Sequence, residues 1–408
     1  MKRILISVFI LILLFVPIYL KVKAMAAPTT IVVWHAYRGE EKDAIGAVAA
    51  SFNKANKDLQ VSLLAVPFDA LADKVSAAVP RDKGPDLFIY AQDRLGGWIA
   101  AGVAEPIEYY LTDAMKARFV SGSLDAFTYK GSIYGLPLST KCVTLIYNKA
   151  LVTKPPKTTD ELIALAKTFT NPEKRQYGLA YEIQNYYYHS IWMQGFGARV
   201  FDADGNPILN SPQAVEALQF AIDLQKNLKI VPEEVTNTLV TTLFNEGKAA
   251  MVINGPWFRG EIDPKIKYGV ALLPVISKIG KPAIPFLTVE GIIMSAKSKN
   301  KDAALKVMDY FTNNATSLVF AAKGKMISAN KSVYLDKKIA ADPIIMGFKA
   351  QVEKSIPMPN APEMTMVWSP ATTAMNKAFL GALSPAEALD EAQASVLDAI
   401  KRLREPKE

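Results

Sequence analysis

The chain has 408 residues, 50% of them hydrophobic, with 47 Lys and Arg against 39 Asp and Glu, a formal charge of +8, one cysteine and two histidines. That length supports two hydrophobic cores and is too long for one of ordinary size. Charges of both signs are interspersed, with no Arg/Lys stripe carrying interleaved aromatics, so the basic balance does not point to nucleic acid.

Lys2 and Arg3 precede an apolar run from Ile4 to Leu20, Lys21 and Lys23 follow, and Ala24-Met25-Ala26 supplies an A-x-A pattern. This reads as a secretory signal peptide over residues 1–26. An uncleaved anchor is the alternative, because the run approaches membrane-spanning length with positive charge on both flanks. The expected location is the periplasm, or else the outer side of the cytoplasmic membrane with an N-terminal tether. Removing Lys2, Arg3, Lys21 and Lys23 lowers the formal charge from +8 to +4. The lone Cys142 sits among Leu138, Val143 and Leu145, where a buried, unpaired thiol is expected.

In chain order, Ile31–Trp34 predicts a strand, Gly39-Glu40-Glu41 opens a helix through Ala44, Val48 and Phe52, and Leu59–Val66 predicts a second strand. A helix carrying Leu71 and Val75 crosses over to a third strand, Leu87–Tyr90, which gives a βαβαβ start. In an open parallel sheet, ligands bind at the carboxyl ends of the strands. That edge carries His35 to Arg38, Pro67 to Asp69 and Tyr90 to Arg94.

A helix over Leu95–Ala101 is followed by a hairpin over Phe127–Leu136 turning at Lys130-Gly131, then by an extended apolar segment, Leu138–Tyr147. Thr158 or Thr159 caps a helix through Phe169, and Tyr177–Ala180 is a strand. Next comes an aromatic cluster, Tyr186 to Tyr188 with His189 and Trp192. Phe201–Pro207 is a hairpin-like turn that resembles the start of a calcium loop but lacks its length and closing glutamate, so no metal is assigned. Helices over Ser211–Leu224 and Leu239–Asn245 precede a strand, Ala249–Asn254, that leads into Gly255-Pro256-Trp257. Strands over Tyr268–Pro274 and Phe286–Ala296 follow. Helices are expected over Asp302–Phe311, Thr316–Ala322, Pro343–Glu353, Val367–Leu380 and Pro385–Leu403.

Tryptophan and tyrosine are flat apolar plates with a polar edge. They suit the C–H face of a sugar ring while carboxylate, guanidinium and amide groups take its hydroxyls. Tyr90, Trp98, Tyr187, Trp257 and Trp368 lie in or beside predicted loops; each alone reads as a core residue before a ligand plate, and their recurrence after strands, in GPW and in VWSP, brings the plate reading of the group level with it. Signals for catalysis are sparse. No nucleophile elbow, C-x-x-C, P-loop or dinucleotide glycine pattern occurs, and neither histidine has metal-ligand spacing. A hydrolase acting through Asp93 or Glu290, or a receptor or chaperone-like module, remain the other function classes.

The segments IVVW, GPDLFIYAQDRLGGWIAAG, YGLPLSTKCVTLIYNK, PPKTTDEL, KAAMVINGPW, YGVALLP and SIPMPNAPEMTMVW, in this order over nearly all of Ile31–Leu403, resemble the maltose/maltodextrin-binding group among the extracellular solute-binding proteins of ABC transporters. The resemblance implies an α/β, two-lobe periplasmic-binding-protein fold of type II, each lobe a mostly parallel sheet flanked by helices, with a hinge between them. The expected division is 27–138 plus 290–338 for the first lobe and 139–289 plus 339–408 for the second. A non-enzymatic monomer is implied, without cofactor. It would bind a malto-oligosaccharide or related sugar and deliver it to the membrane permease subunits of an ABC transporter.

Carried over residue by residue, the resemblance makes Asp93 and Arg94 hydroxyl-binding groups. Tyr90 takes the place of a tryptophan, Tyr187, Trp257 and Trp368 are aromatic plates, and Arg38 falls near a hydroxyl-binding lysine. Lys141 and Asn185 each stand where that group has a glutamate, which removes two carboxylate acceptors. A buried Lys141 needs an acid or a ligand oxygen, and it is expected to pair with Asp93, bind a charged sugar or point out of the cleft.

Overall fold

The computed structural model describes residues 27–120 and 122–404. The expected signal peptide lies outside the described residues. Strand β1 (Thr29–His35), helix α1 (Gly39–Ala55), β2 (Leu59–Ala65), α2 (Phe68–Ala78) and β3 (Leu87–Ala91) form the βαβαβ start. Helix α1 buries Ala44, Ile45, Val48, Ala49 and Phe52 on one face, and Glu40 and Glu41 fill its first turn, where the helix dipole favours acids. After α3 (Leu95–Ala100), the expected hairpin is reduced to two-residue strands around Lys130-Gly131, both with positive φ. The chain continues through β4 (Gly135–Lys141), β5 (Thr144–Asn148), α4 (Thr159–Phe169), β6 (Tyr177–Ala180) and α5 (Tyr186–Gly195). Then come α6 (Pro212–Ile222), α7 (Asn237–Asn245), β7 (Ala249–Asn254), β8 (Tyr268–Ala271) and β9 (Phe286–Met294). It closes with α8 (Lys301–Thr312), α9 (Asn314–Lys323), α10 (Pro343–Val352), β10 (Ile356–Pro357), α11 (Trp368–Phe379) and α12 (Pro385–Arg404). Among the described residues no helix is long and apolar enough to cross a membrane.

The strands form two main sheets, one per lobe. The larger has six strands in the order β10-β9-β3-β1-β2, with β4 also paired to β9. The smaller has four, β8-β5-β7-β6. Alternation along the strands feeds a core on each face. Val33, Leu87 and Ile89 enter one core of the larger sheet, and Trp34, Phe88 and Tyr90 enter the other. In the smaller sheet Leu145 and Met251 point to one core, and Ile146 and Val252 to the other.

Two expectations change here. The smaller sheet is not mostly parallel: β5 runs antiparallel to both β7 and β8, and only β6 and β7 are parallel. In the larger sheet β9 is antiparallel to both β3 and β4. Both β5 and β9 arrive directly from the opposite lobe rather than through a right-handed helical crossover, so the rule that aligns βαβ strands does not govern them. The extended segment Leu138–Tyr147 is also two strands in two sheets, parted at the buried residues Cys142 and Val143. Residues 139–141 and 286–289, expected in the second lobe, therefore lie in the larger sheet, and β10 brings residues 356–357 back to it.

Candidate functional site

Three groups of side chains meet where the lobes face one another. The first grows from the end of β3. A single 3-10 turn, Gln92–Arg94, links β3 to α3 and holds three polar residues at the sheet edge. Gln92 is fully buried: its amide donates to the carbonyls of Leu287 (3.1 Å) and Met358 (3.3 Å) and accepts from the Val289 N–H (2.8 Å). Asp93 is 7% exposed and its carboxylate lies 3.5 Å from Arg94 Nε. Burial raises the Asp93 pKa to about 6, against the opposing pull of Arg94. Gly96, in α3, accepts no side chain, because a Cβ there would lie 2.4 Å from the Pro362 nitrogen. That approach lets the Gly96 N–H donate to the Asn360 carbonyl and docks α3 against the segment before α11.

Tyr90 is not a free plate. It is 5% exposed, stacked on Phe68 with centroids 5.0 Å apart and planes 8° from parallel, and it meets Trp98 edge-on at 5.4 Å. Trp98 is buried in turn, its indole N–H donating to Ser76 Oγ at 2.9 Å.

The second group lines the opposite lobe. Tyr187, Trp257 and Trp368 are all half-buried and are joined through Phe286: Tyr187 lies 6.2 Å from Trp257 and 6.4 Å from Phe286, which lies 6.4 Å from Trp368. Gly255 makes the Trp257 pose possible, since a Cβ at that position would fall 2.2 Å from the indole ring. The Tyr187 hydroxyl shares a 3.1 Å hydrogen bond with Thr288 Oγ1 on β9. The Trp368 indole N–H makes no aligned hydrogen bond, yet it lies close enough to Asp93 to favour the ionised carboxylate. Asn185 caps α5, its side-chain oxygen accepting from the Tyr187 N–H at 3.0 Å. Its carbonyl therefore serves the backbone that presents the ring.

The third group is charged. Lys141, at the end of β4, sits 2.9 Å from Glu290 and 3.1 Å from Glu41, with all three side chains largely buried. The acid that meets Lys141 is thus not Asp93. Burial alone would lower the lysine pKa, but the pull of Glu290 and then Glu41 outweighs it and raises the value. Two carboxylates against one cation leave a surplus negative charge, and burial pushes the Glu41 carboxyl up, partly offset by Lys141. Tyr37 covers the lysine, 5.5 Å from ring centroid to Nζ. Arg38 is exposed and reaches across the gap to Glu261 at 2.6 Å, which also accepts from Thr241 Oγ1 (2.9 Å) and Asn237 Nδ2 (3.2 Å). Burial raises the pKa of Glu182, on the loop after β6, against the pull of the Tyr188 hydroxyl, and the negative charges of Asp69 and Glu261 add to the rise.

Asp93, Arg94, Tyr187, Trp257 and Trp368 are therefore gathered at one place, with Tyr90 behind them. Arg38, Lys141 and Asn185 are engaged by protein partners. Glu41, Gln92, Glu261 and Phe286 escaped the sequence reading because nothing local marks them. Phe68 did carry a signal, an apolar residue directly after Pro67 in a loop aimed at the ligand edge.

The model of the family described as bacterial extracellular solute-binding protein matches residues 47–347. The chain belongs to this family. The maltotriose-binding protein of Pyrococcus abyssi is 34% identical over 345 residues, 83% of this chain and 75% of that protein. The galactooligosaccharide-binding protein of Bacillus subtilis is 29% identical over 396 residues, 93% of this chain and 91% of that protein. Among solved structures, the Thermus thermophilus maltotriose-binding protein bound with maltotriose superposes with a TM-score of 0.84 at 32% identity, covering 91% of this chain and 100% of the other. The maltose/maltodextrin-binding domain from Bdellovibrio bacteriovorus, bound to maltotriose, gives 0.85 at 26% identity over 91% and 100% of the two chains. The two-lobe architecture is thus the type II periplasmic-binding fold, and this solute-binding protein works outside the cytoplasm.

Proposed function

We propose that this solute-binding protein takes a neutral malto-oligosaccharide into the gap between its lobes and presents it, as a monomer in the periplasm, to the permease subunits of an ABC transporter. An uncleaved N-terminal tether on the outer face of the membrane is the alternative setting. The observation that carries the sugar reading is the half-buried set Tyr187, Trp257 and Trp368 beside the Asp93–Arg94 pair. Ring faces take the C–H surface of a pyranose, and the acid and base take its hydroxyls. The maltotriose-binding relatives support the same ligand class. Closure is read as motion about the two direct strand crossings near residues 142 and 285 and the return near residue 356.

Charge argues for neutrality. Asp69, Asp93, Glu182 and Glu261 border the gap, while Arg38, Arg94 and Lys141 each already face a carboxylate. No cation of this set is left for a phosphate or uronate, and an anionic sugar would meet repulsion. A hydrolytic role is disfavoured because Glu290 is held by Lys141 at 2.9 Å and the family consists of binding proteins. The galactooligosaccharide-binding relative supports a second reading, another neutral oligosaccharide in the same gap.

Titration calorimetry of the mature chain tests the proposal with maltose, maltotriose, a galacto-oligosaccharide and a phosphorylated disaccharide. Heat with maltotriose and none with the phosphorylated sugar is expected. Silence across the neutral panel with folded protein overturns the carbohydrate reading.

A further inference from the structure

Phe68 is the first residue of α2, directly after Pro67, and is 51% exposed. The exposed part of the ring is apolar area available for contact with a ligand. One face is already used: the ring lies parallel on Tyr90 at 5.0 Å, and Tyr90 is wedged by Trp98, which the Ser76 hydrogen bond fixes to the same helix. The three rings form a rigid stack rooted in the core, and its last member turns its second face outward. The Tyr90 hydroxyl feels the charges of Asp93, Arg94 and Asp69, so all three lie near this set of rings. Across the gap from Asp69 stands Glu182.

We propose that Phe68 is an additional sugar-binding plate, an open ring beside the end of β3, and that it selects for oligosaccharide length. This inference rests on the sugar reading of the site. Tyr90 then acts as a positioning residue, holding Phe68 flat. Phenylalanine has no polar edge, so it contributes contact with the apolar face of a ring and no hydroxyl selectivity. Phe68 is joined to the Asp93–Arg94 region through Tyr90, and in the proposal it serves an outer position where a further unit of the same chain would rest. Asp69 and Glu182 flank the subsite as hydroxyl acceptors.

The test is calorimetry of the wild-type chain, Phe68→Ala and Phe68→Trp with maltose, maltotriose and maltotetraose. Phe68→Ala is expected to weaken the longest sugar about tenfold while changing maltose by less than about twofold, and Phe68→Trp to retain the long-chain affinity. Equal losses at all three lengths would show that Phe68 acts only by supporting Tyr90, and unchanged affinities that its outer face stays empty; either overturns the inference while leaving the sugar reading intact. Absence of binding by the wild-type chain overturns both. Thermal melting of Phe68→Ala checks that the exposed position leaves the fold in place.

Discussion

The charged floor and the aromatic wall of the gap handle buried groups in opposite ways. Lys141, Glu41 and Glu290 come from β4, α1 and β9 and pair with one another, so the one cation is already engaged and a carboxylate is in excess. Tyr187, Trp257 and Trp368 lean on one another through Phe286 yet each keeps accessible surface. A residue's chemistry thus does not set its role; what matters is whether the fold has already spent its binding capacity. Lys141, standing where the resemblance implies a glutamate, is engaged within the protein, and the proposed recognition rests on the rings and on Asp93 with Arg94.

The largest effect that could break this contrast is on stability. Lys141→Met should destabilise the protein by about 3–5 kcal/mol, because it leaves two buried carboxylates without their cation, and adding Glu290→Leu should recover much of that loss. Urea unfolding measures both variants. If Lys141→Met left stability unchanged and abolished sugar binding instead, the floor would be a ligand contact and the contrast would fail.

Asp93 sharpens the comparison, because it is buried like the floor and open to ligand like the wall. Its folded pKa of about 6 exceeds the unfolded value, so the folded state holds the extra proton between roughly pH 4 and 6. The contribution of Asp93 to stability is therefore greatest below the unfolded pKa and declines as pH rises through about 6, by about 3 kcal/mol in all. Asp93→Asn should remove that slope from unfolding curves at pH 5 and 8. Sugar binding needs the ionised acceptor, so affinity should move the other way, weakening as pH falls below about 6; a flat affinity profile would take Asp93 out of the contact set.

The smallest expected change tests the wall. Trp257→Ala should weaken maltotriose binding by about 1–3 kcal/mol with a smaller loss of stability, since the ring is half-buried at the gap and packs only against the edge of the cores. A large loss of stability at unchanged affinity would make Trp257 a packing residue and erase the distinction from the floor.

Much of the fold was legible because its helices carry one apolar face and its strands sit between turn signals. Helix α1 runs as Glu40, Glu41 and the spacing of Ala44, Val48 and Phe52 predict. The Thr158 cap also forms, accepting from the Glu161 N–H at 3.2 Å. Helix α5 was not legible: all eight residues after Tyr187, Gly195 among them, are buried, so no polar face marks the period. The split of β4 from β5 was hidden too, since Cys142 and Val143 offer no Gly, Pro or polar break. At the site, periodicity brought Tyr90, Asp93 and Arg94 to the right edge. It could not say that Phe68 would cover Tyr90, or that Glu41 and Glu290 would meet Lys141, because those contacts join residues far apart in sequence. A lysine in an apolar run announces that it needs an acid, without naming which one.

Gln92 has a mechanical consequence. One amide knots the end of β3 to two residues of β9 and to Met358, so three passes of the chain are lashed together beside the junction of the lobes. These three hydrogen bonds tie the passes to one another, so in the proposed closure they would serve as the pivot of a swing. Asp93, the next residue, sits at that pivot, while the Arg38–Glu261 ion pair joins the two sides and would have to break for them to separate.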